Sequence, residues 1–413
     1  MRTERITFTG AQGDDLSARV DRPIDGRARA WLLFAHCFTC SKDLRAVGNL
    51  THALNQEGIG VFRFDFTGLG QSEGEFADTT LSSNVDDLRA AAAWMEEHLE
   101  APAILVGHSF GGAAVILAAR HLPSVRAVAT IGAPFDPRHV KHLFAESLDE
   151  IERAGAADVS IAGRRFTLSS EFVRDLDSSA METAIRELRR PLLVLHSPID
   201  QTVGVDNARA IYEAARHPKS FVSLDDADHL LLDERDSRYV GTVLAAWVER
   251  YLAPRPERGR AESELADDAV VTRTPGDTFR TEVLARGHAL LADEPAAVGG
   301  DDLGPTPYDL LAAALGACTS MTLGMYARRK GWPLEEATVQ VRHTRIHARD
   351  SEGCDDREPR MDRLSREITL EGDLDADQRE RLMEIADRCP VHRTLSAGVE
   401  IETRPAGGSA EPS

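Results

Sequence analysis

The chain has 413 residues, 42% hydrophobic and 28% charged, with a formal net charge of −20 at pH 7. That length exceeds what one ordinary core organises, so two domains are expected, and the negative balance argues against a nucleic-acid groove or docking on anionic lipid. Five cysteines are too few for a disulfide scaffold, and their odd number suits a reducing, cytoplasmic setting where cysteine work is catalytic or redox.

The first ten residues, MRTERITFTG, lack the apolar core of a secretory signal. From there to residue 252, short apolar runs alternate with amphipathic stretches. The runs are 31–36 (WLLFAH), 60–65 (GVFRFD), 103–109 (AILVGHS), 126–133 (RAVATIGA) and 191–197 (PLLVLHS). Apolar throughout, they suit strands of a parallel sheet covered on both faces. Helical periodicity fills 43–57 and 79–99, with Leu88, Ala91, Ala92 and Met95 on one stripe. Such alternation predicts a doubly wound α/β sheet over 1–252. The spacing breaks after Ala133. A helix near 139–153, a hairpin at 159–169 and a helix near 170–189 are expected to form a helical cap over about 134–190. A last helix is expected to end near Tyr251.

Gly107-His108-Ser109-Phe110-Gly111 is a G-x-S-x-G sequence between an apolar strand and an alanine-rich helical stretch. A sharp strand-to-helix turn there would hold the serine oxygen above the sheet, and the glycines would let the backbone crowd it. A serine hydroxyl needs a base, and the base an orienting acid. His229 follows the short strand SFVSL, and Asp200 follows PLLVLHSPID. Asp225, Asp226 and Asp228 compete for the acid role. They lie so near His229 in sequence that no strand is needed to deliver them, so Asp200 is preferred.

With these residues in place, 1–252 resembles the α/β-hydrolase superfamily. The resemblance implies Ser109 as nucleophile, His229 as general base, Asp200 as its partner, and an oxyanion hole from the N–H groups of Phe110 and Phe38. Where the family reads His-Gly, this chain has His36-Cys37. Cys37-Phe38-Thr39-Cys40 also forms C-x-x-C, read either as a redox switch or, preferably, as two small residues packing a tight turn.

Residues 253–268 are charged, proline-bearing and aperiodic, which reads as a linker. Past them AVVTRT and TFRTEVLA suggest antiparallel strands. A long helix is expected over about 306–329, strands near 337–347 and 363–371, a helix near 375–388 and a strand near 397–403. Locally paired strands of this kind predict a smaller α+β domain over 269–404, followed by a disordered tail at 405–413. Residues Leu310–Ala327 contain no charge, yet half of the run is small or weakly polar, so a core helix buried on all sides is expected rather than a membrane span. Leu311, Leu315, Cys318, Thr322 and Met325 share one stripe of that helix; Leu382, Ile385, Ala386 and Cys389 share one on the next. Packed together, those faces would bring two thiols close, although free cysteine is often mere core filler. Zinc on Cys318, Cys389 and His392 lacks tight ligand pairs, and no metal or cofactor is expected.

The segments 299–335 and 371–395 resemble the OsmC and organic-hydroperoxide-resistance family. The resemblance implies an intertwined homodimer, organic hydroperoxide as substrate, Cys318 as the peroxidatic thiolate, Cys389 as the resolving thiol and a dithiol as reductant. It also implies an arginine held by a carboxylate beside Cys318; Arg273, Arg280 and Arg286 are candidates, with Arg280 preferred. The family's glutamate position holds Tyr308, with Asp309 adjacent. The expected function is therefore a serine hydrolase of acyl esters joined to a thiol peroxidase. The alternative is a hydrolase whose second domain only dimerises or binds ligand.

Overall fold

The structure is a computed structural model that describes residues 2–23, 26–37, 41–161, 164–178, 180–253, 269–276, 278–286, 288–346 and 361–405. The expected linker and tail lie outside these residues, apart from Ala253 and Pro405. Two compact units form, Met1–Arg273 with Glu282–Leu290, and Thr274–Thr281 with Leu291–Ser413.

The first unit is built on eight strands. They are β1 (Arg2–Thr9), β2 (Asp15–Arg22), β3 (Ala30–Ala35), β4 (Ile59–Phe64), β5 (Ile104–His108), β6 (Ala127–Ile131), β9 (Leu192–His196) and β10 (Lys219–Ser223), ordered β1-β2-β4-β3-β5-β6-β9-β10. From β4 through β10 neighbouring strands run parallel, while β1 and β2 form an antiparallel hairpin that pairs with β4. The sequence reading missed this hairpin. Its signal is the period-two alternation of Leu16, Ala18 and Val20, all buried.

Both faces of the sheet are covered, which is why the central strands read as unbroken apolar runs. Along β3, Leu33 and Ala35 join one core with α2 (Leu81–His98) and α3 (Phe110–Ala119), whereas Leu32 and Phe34 join the other with α1 (Arg45–Gln56) and α8 (Glu234–Val248). Two-residue alternation thus distributes one strand between two cores. Residues 137–186 hold a 3-10 segment (Pro137–Ser147), α4 (Leu148–Ala154), the hairpin β7 (Ala156–Ile161) and β8 (Arg164–Ser169), α5 (Ser170–Ser178) and α6 (Met181–Arg186). α7 (Asp206–Ala214) lies between β9 and β10.

A buried ionic knot fixes the loop after β3. The Asp65 carboxylate accepts from Lys42 N and Lys42 Nζ, each at 2.6 Å, and from Gln71 N at 2.9 Å. Lys42 and Asp65 are 1% and 0% exposed. Gly70 is needed beside them, because a Cβ there would stand 2.3 Å from that carboxylate.

Further along, β11 (Val270–Arg273), β12 (Thr281–Ala285) and β13 (His288–Ala292) make a three-stranded sheet. In the second unit, α9 (Pro307–Lys330) begins with a Thr306–Asp309 capping box and ends at left-handed Gly331. It packs against the hairpin of β14 (Leu334–Ile346) and β15 (Met361–Gly372) and against α10 (Ala376–Ala386). One stripe of α9, Leu315, Thr319, Leu323 and Ala327, is buried, while Met321 and Met325 are 68% and 69% exposed. A helix enclosed on every side is therefore not what a single chain provides. α9 is long and apolar enough to cross a membrane by length and composition alone.

Residues 398–405 form no strand. Val399 and Ile401, within the strand expected near 397–403, are exposed. In its place stands an unexpected helix, α11 (Pro390–Ala397), with Cys389 as its N-cap.

Removing only the carboxylate of the knot leaves a buried ammonium without its counter-charge. Asp65→Leu is expected to cost about 3–5 kcal/mol in chemical denaturation, and Lys42→Met/Asp65→Leu to recover most of it. A single-variant cost as small as that of a surface substitution would contradict this account of the loop.

Candidate functional site

Ser109 sits between β5 and α3 with φ 54° and ψ −122°, a conformation that costs a non-glycine residue about 1–3 kcal/mol. Its surroundings enforce it. Ser109 N donates to Ile131 O at 2.7 Å, and Gly112 N donates to Ser109 O at 2.8 Å. A Cβ on Gly107 would come within 2.2 Å of Gly111 O, and one on Gly111 within 2.4 Å of Ala35 O. The turn can close only around glycine.

Three side chains from three strand ends meet here. His229 Nε2 lies 3.0 Å from Ser109 Oγ, and His229 Nδ1 lies 2.7 Å from Asp200 Oδ2. A carboxylate only accepts, so Nδ1 carries the proton and Nε2 presents its lone pair to the serine hydroxyl. The second oxygen of Asp200 accepts from Thr202 N at 2.8 Å and Val203 N at 2.9 Å. Burial raises the Asp200 pKa, but the hydrogen bonds from His229, Val203 and Thr202 outweigh it, so the net direction is down. Asp225, Asp226 and Asp228 are exposed. Asp228 accepts instead from Leu230 N and Leu232 N, which shapes the loop carrying His229.

Two histidines that sequence reasoning passed over brace this arrangement. His108 Nε2 donates to His229 O at 2.7 Å. Burial, with His229 nearby, pushes the His108 pKa down to about 3, so the ring is neutral and able to serve in that role. His36 Nδ1 donates to Cys37 O at 2.7 Å while His36 Nε2 accepts from Phe66 N at 3.3 Å, tying the loop after β3 to the end of β4. Their signal in the sequence was position alone, each at the tip of a central strand.

Of the expected oxyanion residues, Phe110 is buried and opens α3, and Phe38 lies outside the described residues. Cys37 is disulfide-bonded, which departs from the preferred reading of two unreacted small residues. Cys40 lies outside the described residues.

In the second unit Cys318 is half-buried and Cys389 fully buried, and both are free thiols. Cys389 Sγ accepts from His392 N at 3.3 Å and from the Thr319 hydroxyl at 3.6 Å. Arg366 Nη1 donates to Thr319 Oγ1 at 2.9 Å and to Ala386 O at 3.0 Å, and Arg366 Nη2 reaches Asp387 Oδ1 at 2.7 Å and His392 Nδ1 at 3.0 Å. The expected cation, Arg280, pairs instead with Asp301 at 2.9 Å. Asp309 is committed to capping α9, nine residues or about 13 Å along the axis from Cys318. Among the described residues, the guanidinium beside the thiol pair is therefore that of Arg366, on β15.

Comparison with known proteins agrees with this division. A family model described as "Serine aminopeptidase, S33" matches residues 26–177, and one described as "OsmC-like protein" matches 299–404. The esterase domain of a Rhodothermus marinus protein is 46% identical, with TM-score 0.52, covering 61% of this chain and all of that one. The α/β hydrolase GrgF from Penicillium sp. sh18 is 17% identical, with TM-score 0.51 over 62% of this chain and all of its own; that likeness is one of fold. YfhR, an uncharacterised protein of Salmonella typhimurium, is 23% identical over 250 residues, 60% of this chain and 80% of its own length.

The neutral buried His108 predicts an acid-side weakness. Its folded pKa, about 3, lies below the unfolded 6.5. Between those values the unfolded chain holds more protons, so stability falls as pH falls. His36 and His196, also lowered by burial, act in the same direction. Wild-type protein should lose stability in urea between about pH 7 and about pH 5, and His108→Asn should lose less over the same interval. Equal losses would contradict the assignment.

Proposed function

Because the chain belongs to the α/β-hydrolase superfamily in its N-terminal part and to the OsmC family in its C-terminal part, we propose that it is a bifunctional enzyme. The first activity is hydrolysis of acyl esters, with Ser109 as nucleophile, His229 as general base and Asp200 as its orienting acid. The observation that carries this reading is the continuous hydrogen-bond chain from Asp200 Oδ2 through His229 to Ser109 Oγ.

In that reading Ser109 Oγ attacks the ester carbonyl while Nε2 takes its proton, then returns it to the departing alcohol oxygen. Water repeats the sequence on the acyl-enzyme. Asp200 compensates the positive charge that His229 gains, and its depressed pKa keeps it ionised for that purpose. Oxyanion stabilisation is assigned to the N–H groups of Phe110, at the start of α3, and Phe38. Phe172 stands 6.2 Å from Phe110 and 6.3 Å from Phe144 between ring centroids, which ties the segment over 137–186 to the start of α3 within one core. The 46% identical esterase domain supports esters as the class of substrate.

The second activity is reduction of organic hydroperoxides by Cys318 and Cys389, with a dithiol clearing the resulting disulfide. Two free thiols on neighbouring helices, Cys318 within α9 and Cys389 at the N-cap of α11, support it. Free thiols that need a dithiol donor favour a cytoplasmic enzyme. The exposed Met321 and Met325 face of α9 favours a homodimer through this domain rather than a membrane span. A dimerising or ligand-binding module without peroxidase chemistry is the competing reading.

On a nitrophenyl acyl ester Asp200→Asn should lower kcat by about 10⁴-fold and Ser109→Ala by about 10⁶-fold. Cys318→Ser should abolish dithiol-dependent consumption of cumene hydroperoxide without affecting ester turnover. Ester hydrolysis surviving Ser109→Ala removes the first activity; a wild-type protein that leaves the hydroperoxide untouched establishes the binding-module reading.

A further inference from the structure

Resting on the peroxidase reading above, we propose that Arg366 is a positioning residue for the resolution step, its guanidinium stapling the segment that carries Cys389 to α9 beside Cys318. The staple holds the resolving thiol within reach of the Cys318 sulfenic acid, so that the disulfide closes before a second hydroperoxide oxidises that sulfur further.

The pattern of β15 already sets Arg366 apart. Leu364, Arg366, Ile368 and Leu370 are half-buried, while Arg363, Ser365, Glu367 and Thr369 between them are exposed. Ile368 and Leu370 pack on the core that joins Leu323 and Ala327 of α9 to Leu382, Ile385 and Ala386 of α10. Arg366 therefore stands in the inward row of its strand, where a cation is retained only if its N–H groups find acceptors.

Those acceptors surround the two cysteines. Arg366 Nη1 donates to Thr319 Oγ1 at 2.9 Å and to Ala386 O at 3.0 Å. Its Nη2 donates to Asp387 Oδ1 at 2.7 Å and to His392 Nδ1 at 3.0 Å. Ala386, Asp387 and His392 flank Cys389 on both sides in the chain, and Thr319 directly follows Cys318. One planar group thus ties the end of α10, the turn after it and the first turn of α11 to the middle of α9. Thr319 Oγ1 lies 3.6 Å from Cys389 Sγ, so the tie closes next to the thiol itself.

Apolar packing does not duplicate this tie. The buried cluster between α10 and α9 reaches Ala386, and no described residue of 390–397 is buried. Cys389 is nonetheless fully buried, with polar contacts on each side of it. A lysine would not serve as well. Its donors share one nitrogen, whereas the two terminal nitrogens of the guanidinium each engage a different pair of acceptors.

The chemistry makes position consequential. Attack of the Cys318 sulfur on the hydroperoxide breaks the O–O bond and leaves a sulfenic acid and an alcohol. Cys389 Sγ then attacks Cys318 Sγ; the S–S bond forms, the S–O bond breaks, and the departing hydroxide leaves as water with the Cys389 proton. If Cys389 is late, a second hydroperoxide gives an oxygen to the sulfenic sulfur, which yields a sulfinic acid and a second alcohol and removes the pair from the cycle. A small misplacement of one reacting group is enough to reverse that competition.

Both steps can be followed on the full chain in wild type, Arg366→Gln, Arg366→Lys and Thr319→Val. Cumene hydroperoxide is the oxidant, dimedone traps the sulfenic acid, and mass spectrometry measures the Cys318–Cys389 disulfide. Arg366→Gln should form sulfenic acid at the wild-type rate and close the disulfide about 10²-fold more slowly. Cys318 sulfinic acid should accumulate in it as hydroperoxide is raised. Thr319→Val, which removes only the anchor on α9, should slow the same step by a smaller factor, and Arg366→Lys should stay slow. A second arm closes the bond without hydroperoxide, by equilibration with oxidised and reduced dithiothreitol; there Arg366→Gln should need a more oxidising mixture for half closure. Disulfide formation as fast in Arg366→Gln as in wild type, full recovery in Arg366→Lys, or slowing confined to sulfenic acid formation overturns the proposal, as does a dithiothreitol arm that does not separate Arg366→Gln from wild type. Failure of the peroxidase reading looks different: cumene hydroperoxide gives no sulfenic acid in wild type, while the dithiothreitol arm still separates the two proteins.

Discussion

The first unit depends on one backbone conformation, the left-handed turn at Ser109. At φ 54° a side chain is strained, and the turn persists because its neighbours over-determine it. Gly107 and Gly111 admit the approach of adjacent backbone. β5 is paired on both sides, to β3 and β6, and α3 is buried along its whole length. A rigid, doubly covered sheet therefore supplies the constraint, and the exposed strand ends supply the side chains. Asp200 follows β9 and His229 follows β10, so that residues far apart in the chain converge above one edge of the sheet.

The loops that carry these groups are anchored by polar atoms as well as by apolar packing, which in the His229 loop comes from Leu224, Ala227 and Leu231. Asp200 is held by two backbone N–H groups, the His229 loop by Asp228 and His108, and the loop after β3 by His36 and the Lys42–Asp65 knot. All of these anchors except Asp228 are buried, and for them a lost hydrogen bond leaves an unsatisfied group. The second unit uses the same device in another form. A helix N-terminus and a hydroxyl converge on Cys389 Sγ, and a guanidinium stands behind the hydroxyl.

Much of this was legible in the sequence, and the reasons are specific. Unbroken apolar runs announced strands buried on both faces, and G-x-S-x-G between a strand and a helix announced the turn. Asp200 could be preferred over Asp225, Asp226 and Asp228 because a strand delivers it. What remained hidden was tertiary. Nothing near Arg366 marks it as a neighbour of Cys389; that follows from how β15 lies against α9 and α10. Arg280 was preferred through resemblance, and Asp301 engages it instead. The β1–β2 hairpin and α11 did carry local signals. Leu16, Ala18 and Val20 alternate, and Cys389-Pro390 is an N-cap followed by proline at the first helical position. The strand expected near 397–403 is absent, because no described strand edge pairs with that segment.

The proposed hydrolysis requires one activated serine hydroxyl in the folded chain, at residue 109. Peptide mapping after reaction of the folded protein with a fluorophosphonate probe tests it most directly. The account predicts one modified peptide, containing Ser109, and loss of that modification when the protein is unfolded before labelling. A folded protein that leaves Ser109 unmodified, or that carries the label on another residue, would contradict it.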